Sequence, residues 1–142
     1  FKEKIEKYSL VILHGFPNKQ QGNNQLLENL IKTKTPLLIC ATEHTNYNKI
    51  NQLKQKLAVI GANGYSSATG SLNQSFNKFT ISSGLRSDLS DYPPLQVPFA
   101  GGYKVAQSNN VLLTQKINGT KTNYPLLVFN ENGELFDYKM VK

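Results

Sequence analysis

Two histidines and a glutamate stand where two predicted strands end. His14 follows the apolar run Ser9–Leu13, and Glu43 and His44 follow the apolar run Leu37–Ala41. If these strands are parallel neighbours, their carboxyl ends share one edge of the sheet, where such sheets bind ligands. Imidazole and carboxylate groups can hold a metal ion or form hydrogen bonds with a polar ligand.

Neighbouring residues extend this hypothetical site. Gly15 allows a close approach of the backbone, and Asn18 and Asn46 supply neutral donors and acceptors. Three interpretations are open: a metal set, a pocket for a polar ligand, or turn residues with a purely structural role. We expect no metal and no cofactor. The predicted ligand-binding residues are His14, Gly15, Asn18, Glu43, His44 and Asn46.

The turn from His14 to Pro17 is similar to the oxyanion-hole turn of α/β-hydrolases. Those enzymes need a nucleophile elbow, then an acid, then a histidine, in that order along the chain. The nearest elbow, Gly64–Ala68, lacks its final glycine, and no histidine follows His44. The sequence therefore predicts no hydrolase triad.

Cys40 is the single cysteine, which excludes a disulfide within the chain. A nucleophilic thiol needs a neighbouring base or another activating charge, and the residues on either side of Cys40 supply neither. A free cysteine in an apolar strand more often packs as a small hydrophobic side chain. We expect no catalytic residue; the alternative is a thiol enzyme that uses Cys40, or a degenerate hydrolase.

The chain is basic, with 16 Lys and Arg against 9 Asp and Glu and a formal net charge of +7. Such a balance invites a nucleic-acid interpretation. The lysines are scattered, however, and Arg86 is the single arginine, whereas base and phosphate readout favours the planar guanidinium. Weak, unspecific nucleic-acid binding is kept as an alternative, and specific binding is not expected.

Length and composition indicate one globular domain over residues 1–142, with 39% hydrophobic residues. No apolar stretch approaches the ~20 residues that span a bilayer. Because the chain begins with Phe1 and not Met, we expect it to be a piece of a longer protein.

The first half predicts strands alternating with helices, the pattern of a parallel sheet with crossover helices. The predicted strands are Ser9–Leu13, Leu37–Ala41 and Leu57–Ile60, and the helices are Gln25–Lys34 and Asn48–Leu57. A continuous apolar run such as Ser9–Leu13 is typical of a strand buried on both faces. Helical spacing is clearest for Leu26, Leu27, Leu30 and Ile31.

The second half is richer in strands. Gly61–Ser75 contains many Gly, Asn and Ser residues and predicts a long loop, and prolines make Ser87–Pro98 irregular or at best a short helical turn. Predicted strands are Tyr103–Gln107 and Val111–Ile117. A hairpin of Leu126–Phe129 and Glu134–Tyr138 is expected around the turn Asn130–Gly133, since Asn-Gly is a strong hairpin signal.

Tyr8–Pro17 and Thr35–Cys40 together resemble the class I glutamine amidotransferase-like superfamily. Further segments follow in order along the chain: Phe76–Phe79, Tyr92–Leu95 with Pro98-Phe99, Val111–Gln115 and Tyr124–Phe129. These segments are similar to the amidotransferase-like domain of large membrane-anchored Bacteroidetes proteins, near von Willebrand factor A-type domains.

The resemblance implies a three-layer, flavodoxin-like α/β fold with antiparallel strands added in the C-terminal half. Active amidotransferases carry Gly-x-Cys-x-Gly and a histidine and glutamate near the C-terminus; the glycines are missing around Cys40, and no histidine follows His44. We therefore expect a non-catalytic module of a larger membrane-anchored bacterial protein. It would bind a protein partner, a neighbouring domain or a small polar ligand, on the periplasmic or extracytoplasmic side, with a cytoplasmic location as the alternative.

Overall fold

The computed structural model is a mixed α/β structure. It describes residues 4–20, 24–33, 35–50, 58–59, 64–89, 91–98, 103–104, 110–130 and 135–138. A 3₁₀ turn, Ile5–Lys7, precedes the helices α1 (Asn24–Lys32), α2 (Tyr47–Ile50) and α3 (Ser83–Asp88). The strands are β1 (Val11–His14), β2 (Leu37–Cys40), β3 (Ala58–Val59), β4 (Tyr65–Leu72), β5 (Leu95–Pro98), β6 (Tyr103–Lys104), β7 (Val111–Ile117), β8 (Thr120–Asn130) and β9 (Leu135–Tyr138).

Seven of the described strands form one sheet in the order β1-β2-β9-β8-β7-β4-β5. Strands β1, β2 and β9 are parallel to one another, and the remaining pairs are antiparallel. The predicted parallel pairing of the first two strands and the predicted antiparallel additions in the second half are therefore confirmed.

The predicted third parallel strand is wrong. Ala58–Val59 does form a strand, but it pairs antiparallel with Tyr103–Lys104 in a separate two-stranded sheet. The place beside β2 is taken by β9, whose Leu135 and Phe136 oppose Leu37 and Leu38. The hairpin with β8 delivers β9 to that place, so a segment remote in sequence completes the parallel part of the sheet.

Helix α1 covers one face of the parallel strands. Leu27 and Leu30 are buried in a core with Leu13 and Ile39, and Leu26 and Ile31 pack partly buried against it, so the predicted stripe is confirmed. The helix ends before Pro36, as its sequence requires.

Helix α2 joins the same core through Tyr47 and Ile50. It begins one residue before the predicted start, where Asn46 Oδ1 accepts a hydrogen bond from the Lys49 amide at 3.2 Å. Asn46 thus serves as an N-cap, the usual helical place for asparagine. The remainder of the predicted helix, residues 51–57, lies outside the described residues.

The prediction that the first strand is buried on both faces is wrong. Leu13 is 6% exposed, but Ile12 is 60% exposed and His14 is also exposed. Strand β1 is an edge strand with β2 as its neighbour in the sheet. The described helices α1 and α2 pack on the side of Leu13, so burial alternates along the strand.

The predicted loop Gly61–Ser75 is wrong over most of its length, because β4 occupies Tyr65–Leu72 between β5 and β7. Small side chains favour loops locally, but here they form a strand that packs against its neighbours. A Cβ built on Gly70 would lie 3.4 Å from Leu113 Cδ1 and 3.5 Å from Leu126 Cδ2. Residues 61–63 lie outside the described part.

The segment predicted as irregular also contains a strand. Strand β5 pairs with β4, with Pro98 opposite Tyr65. Since β5 is the last strand of the sheet, Pro98 can sit there, because proline is tolerated on edge strands. Before it, α3 starts where Ser82 Oγ accepts a hydrogen bond from the Leu85 amide at 3.3 Å.

The C-terminal strands follow the prediction closely. Strand β7 has the predicted bounds, and the β8–β9 hairpin pairs Phe129 with Phe136. Strand β8 is longer than predicted, because Asn118 and Gly119 form a two-residue turn with φ of 48° and 78° that joins it to β7. Residues 105–109 and 131–134, which hold parts of the predicted strands and turn, lie outside the described residues.

A second hydrophobic core lies under the antiparallel strands and is formed by Ala68, Val97, Leu113 and Leu126. Within the described residues, the helices are too short or too polar to cross a membrane.

Candidate functional site

The carboxyl ends of β1 and β2 meet at one edge of the sheet, as predicted. His14 is the register partner of Cys40, and beyond the strands the Gly15 amide donates to the Cys40 carbonyl at 2.9 Å. The loops that follow the two strands therefore start side by side. We call these loops, residues 14–20 and 41–46, the edge loops.

Backbone hydrogen bonds join the edge loops to each other. The Lys19 amide donates to the His44 carbonyl at 2.9 Å, and the Asn46 amide donates to the Pro17 carbonyl at 2.6 Å. Asn18 and Thr45 form an isolated antiparallel bridge between them. The two loops are thus one braced unit, and the positions of their side chains depend on each other.

Two threonines hold the second edge loop in shape. Thr45 is fully buried, and its Oγ1 accepts a hydrogen bond from the Thr42 amide at 2.7 Å. Thr42 Oγ1 accepts from the His44 amide at 3.3 Å, and the Tyr47 hydroxyl donates to the Thr42 carbonyl at 3.4 Å. These contacts satisfy backbone groups that would otherwise need water.

Gly15 is required by the geometry of the first edge loop. Its φ is +64°, a conformation that L side chains rarely adopt. A Cβ at this position would also lie 3.2 Å from Thr42 Oγ1. Gly15 therefore permits the close approach of the two loops.

The charged side chains of the edge loops point to solvent. Glu43 Oε1 and His44 Nε2 are 3.3 Å apart, with side chains 61% and 68% exposed. His14 is exposed as well, and within the described residues its side chain forms no hydrogen bond or ion pair. The structure thus brings the three residues to one edge but joins only two of them directly.

The side-chain oxygens of both asparagines accept hydrogen bonds from backbone amides of the protein itself. Asn18 Oδ1 accepts from the Gln20 amide at 2.8 Å, and Asn46 Oδ1 accepts from the Lys49 amide. Both oxygens therefore stabilise local turns. Each oxygen keeps a second lone pair and each side chain keeps its NH₂ donors, so the role of the two asparagines toward a ligand stays a prediction.

Sequence reasoning missed Lys19, Thr42 and Thr45. Lys19 Nζ donates to the Glu43 carbonyl at 2.8 Å and so adds a side-chain contact between the edge loops. The available signal was the three-residue spacing of Thr42 and Thr45 just before a helix, a pattern in which hydroxyls bond to nearby amides.

No three His, Cys, Asp or Glu side chains gather closely enough to hold a metal ion in the part of the chain that the structure describes. His14, Glu43 and His44 therefore share an edge without the arrangement of a metal site.

Cys40 lies beside this edge but inside the protein. It is 6% exposed, while its register partner His14 is exposed. The residues on either side of Cys40 in the sequence supply no base. The parallel pairing instead places an earlier histidine in the neighbouring strand.

The chain matches none of the protein-family models, curated proteins or solved structures with which it was compared.

Proposed function

We propose that this chain is a non-catalytic binding module, and that the edge loops bind a protein partner or a small polar ligand. One observation carries the proposal: the backbone of the loops is braced by several hydrogen bonds, yet His14, Glu43 and His44 are all exposed. Loops on a rigid scaffold commonly carry binding residues, because a fixed backbone reduces the entropy that binding must overcome.

A protein partner is favoured over a small ligand. Small-molecule sites are concave and enclose most of the ligand. Glu43 and His44 are more than half exposed, which suits a surface contact. Imidazole and carboxylate groups here would form hydrogen bonds or ion pairs with polar groups of the partner.

We further propose the finer assignment that the resemblance implies: a three-layer, flavodoxin-like, amidotransferase-like domain within a larger membrane-anchored bacterial protein. The parallel pair β1–β2 and the packing of α1 on it support this fold. The periplasmic or extracytoplasmic side stays the proposed location, with the cytoplasm as the alternative.

A thiol enzyme using Cys40 is the second candidate function, since one specific observation favours it. His14 is the register partner of Cys40, so an imidazole stands in the strand next to the thiol. The burial of Cys40 argues against it, because a nucleophile must reach its substrate.

Nucleic-acid binding has less support. The described lysines are dispersed: Lys4 and Lys7 precede β1, Lys32 ends α1, and Lys116 and Lys121 lie at the β7–β8 turn. Dispersed cations neutralise few phosphates at once, so affinity should be weak and unspecific.

Site-specific photo-crosslinking tests the proposal. p-Benzoylphenylalanine is placed at position 14 or 44 of the parent protein, in the cells that produce it, with position 121 as the control. We expect a discrete protein adduct from positions 14 and 44 and none from position 121. The purified partner should then bind the triple variant His14→Ala/Glu43→Ala/His44→Ala at least tenfold more weakly than the native chain, with unchanged thermal stability.

The alternatives give different results. Without an adduct, amide NMR shifts confined to the edge loops on addition of a mixture of polar metabolites would support the small-ligand form. The absence of both an adduct and such shifts overturns the proposal. Adducts that disappear after nuclease treatment would favour the nucleic-acid alternative.

A further inference from the structure

A cleft of about 370 Å³ lies between α3 and the antiparallel strands. Gly70, Leu113 and Leu126 belong to the strands on one side, and Leu85 and Leu89 belong to α3 and its end on the other. We call this the α3 cleft. The α3 cleft is lined by residues of β4, β5, β7 and β8. The edge loops follow β1 and β2, which lie at the opposite end of the strand order.

The α3 cleft is almost entirely apolar. Besides the residues above, its lining consists of Leu72, Phe79, Ile81, Tyr92, Pro93, Leu95, Leu112 and Leu127. Phe79, Leu85 and Tyr92 remain 49%, 45% and 57% exposed, so they form an open mouth. Large exposed apolar groups around one concavity are characteristic of a binding site.

One end of the α3 cleft is reinforced by aromatic contacts. The ring of Phe79 lies edge-to-face against Phe76 at 4.9 Å and against Phe129 at 5.7 Å, measured between centroids. Edge-to-face pairs of this kind are favourable beyond the area they bury. Phe79 is therefore held in place although it is half exposed.

The charged residues next to the lining of the α3 cleft favour neither an anionic nor a cationic ligand. Among the described residues that directly adjoin lining residues in sequence, the charged ones are Lys78, Arg86, Asp88 and Asp91, which sum to zero. The sequence neighbours of the lining therefore carry no net charge, and a neutral ligand suits this apolar lining best.

We propose that the α3 cleft binds a small neutral molecule with an alkyl chain. Its volume is within the usual range of small-molecule sites, about 300–1,000 Å³. Apolar surface such as this lining is solvated unfavourably, so an apolar molecule that displaces water from it is bound favourably. A protein segment would need a longer groove, and a charged amphiphile would lack a matching charge at the mouth.

Binding can be measured with neutral probes on the 142-residue chain. The fluorescent probe N-phenyl-1-naphthylamine is bound first and then displaced by 1-alkanols from hexanol to tetradecanol. We expect one site per chain and an affinity that rises about fourfold per methylene until the cleft is filled, and then becomes constant. Decanoate, matched in length to decanol, tests whether a negative charge improves affinity, which we do not expect.

A substitution that fills the α3 cleft tests whether the alkanols bind there. At Gly70 a Cβ makes ordinary van der Waals contacts of 3.4–3.8 Å, so Gly70→Leu should occupy the cleft and lower alkanol affinity at least tenfold. The matched control is Gly84→Leu, because a Cβ on Gly84 has no atom within 4 Å and projects into open space. If Gly70→Leu does not fold, Leu85→Asp at the exposed mouth replaces it, with the same expected loss.

Three results would overturn the proposal. The first is the absence of saturable displacement in the native chain. The second is an affinity that continues to rise with chain length, as expected for adsorption without a defined pocket. The third is equal affinity in the filling variant and the Gly84→Leu control.

Discussion

His14 and Cys40 are register partners across the parallel strands β1 and β2, yet His14 is exposed while Cys40 is 6% exposed. Adjacent residues of a sheet can thus meet different solvent environments when one strand is an edge strand. Cys40 is covered by its surroundings, and a covered thiol reacts only when the structure opens locally.

We therefore predict slow alkylation of Cys40 in the folded protein. Iodoacetamide at neutral pH should label it roughly tenfold or more slowly than a free cysteine, and at the normal rate after unfolding in urea. His14→Ala should leave the native rate unchanged. Rapid native labelling that falls in His14→Ala would instead support the thiol-enzyme alternative.

The hydroxyl of Thr45 should be essential to the edge loops. Thr45→Val keeps the shape of the side chain but removes the acceptor of the part-buried Thr42 amide, and the net loss of such a hydrogen bond is about 0.5–1.5 kcal/mol. We expect that loss in the free energy of urea unfolding. Thr45→Ser retains the hydroxyl and should lose less, so equal losses in the two variants would contradict the assigned role.

Two glycines should respond to the same substitution with opposite signs. Gly119 has φ of +78° and Gly84 lies in α3, and at both positions a Cβ would meet no atom within 4 Å. Backbone conformation alone therefore decides the effect. Gly119→Ala should cost about 1–2 kcal/mol of unfolding free energy, and Gly84→Ala should add about 0.5–1 kcal/mol.

Lys116 and Lys121 lie directly opposite each other across β7 and β8. Like charges in such a pair are unfavourable, so Lys121→Glu should raise the unfolding free energy by about 0.2–1 kcal/mol. The gain should shrink at 1 M NaCl, where charges are screened over about 3 Å. Lys4→Glu changes the net charge equally at a distant position, and an equal gain there would show that only the total charge matters.

Local patterns account for the elements that depend on neighbours in sequence. The leucine spacing of α1, the stop at Pro36 and the apolar run of β2 all describe short-range preferences, and each element appears close to its predicted bounds. The Asn118-Gly119 turn is equally local, and its hairpin signal was available in the sequence.

The sequence predicted where the candidate site lies but not which contacts join its two loops. The rule that parallel strands end at one edge placed His14 and His44 on the same side of the sheet. The hydrogen bonds of the Asn18, Asn46 and Thr45 side chains reach residues only two or three positions away, so local turn and capping patterns could have indicated them. The contacts that join the two loops, such as Lys19 to His44 and Asn46 to Pro17, connect residues more than twenty positions apart, and no local pattern indicates them.

The sequence by itself determined which segments can form helices and strands, because periodicity and turn residues act over a few neighbouring positions. Only the tertiary structure decided that β9 lies beside β2, that the small residues of β4 form an inner strand, and that Ile12 is exposed. Strand pairing and burial depend on which distant segment lies next to a residue. The free energy of those contacts outweighs the local secondary-structure preference, and a local sequence pattern does not indicate which distant segment becomes the partner.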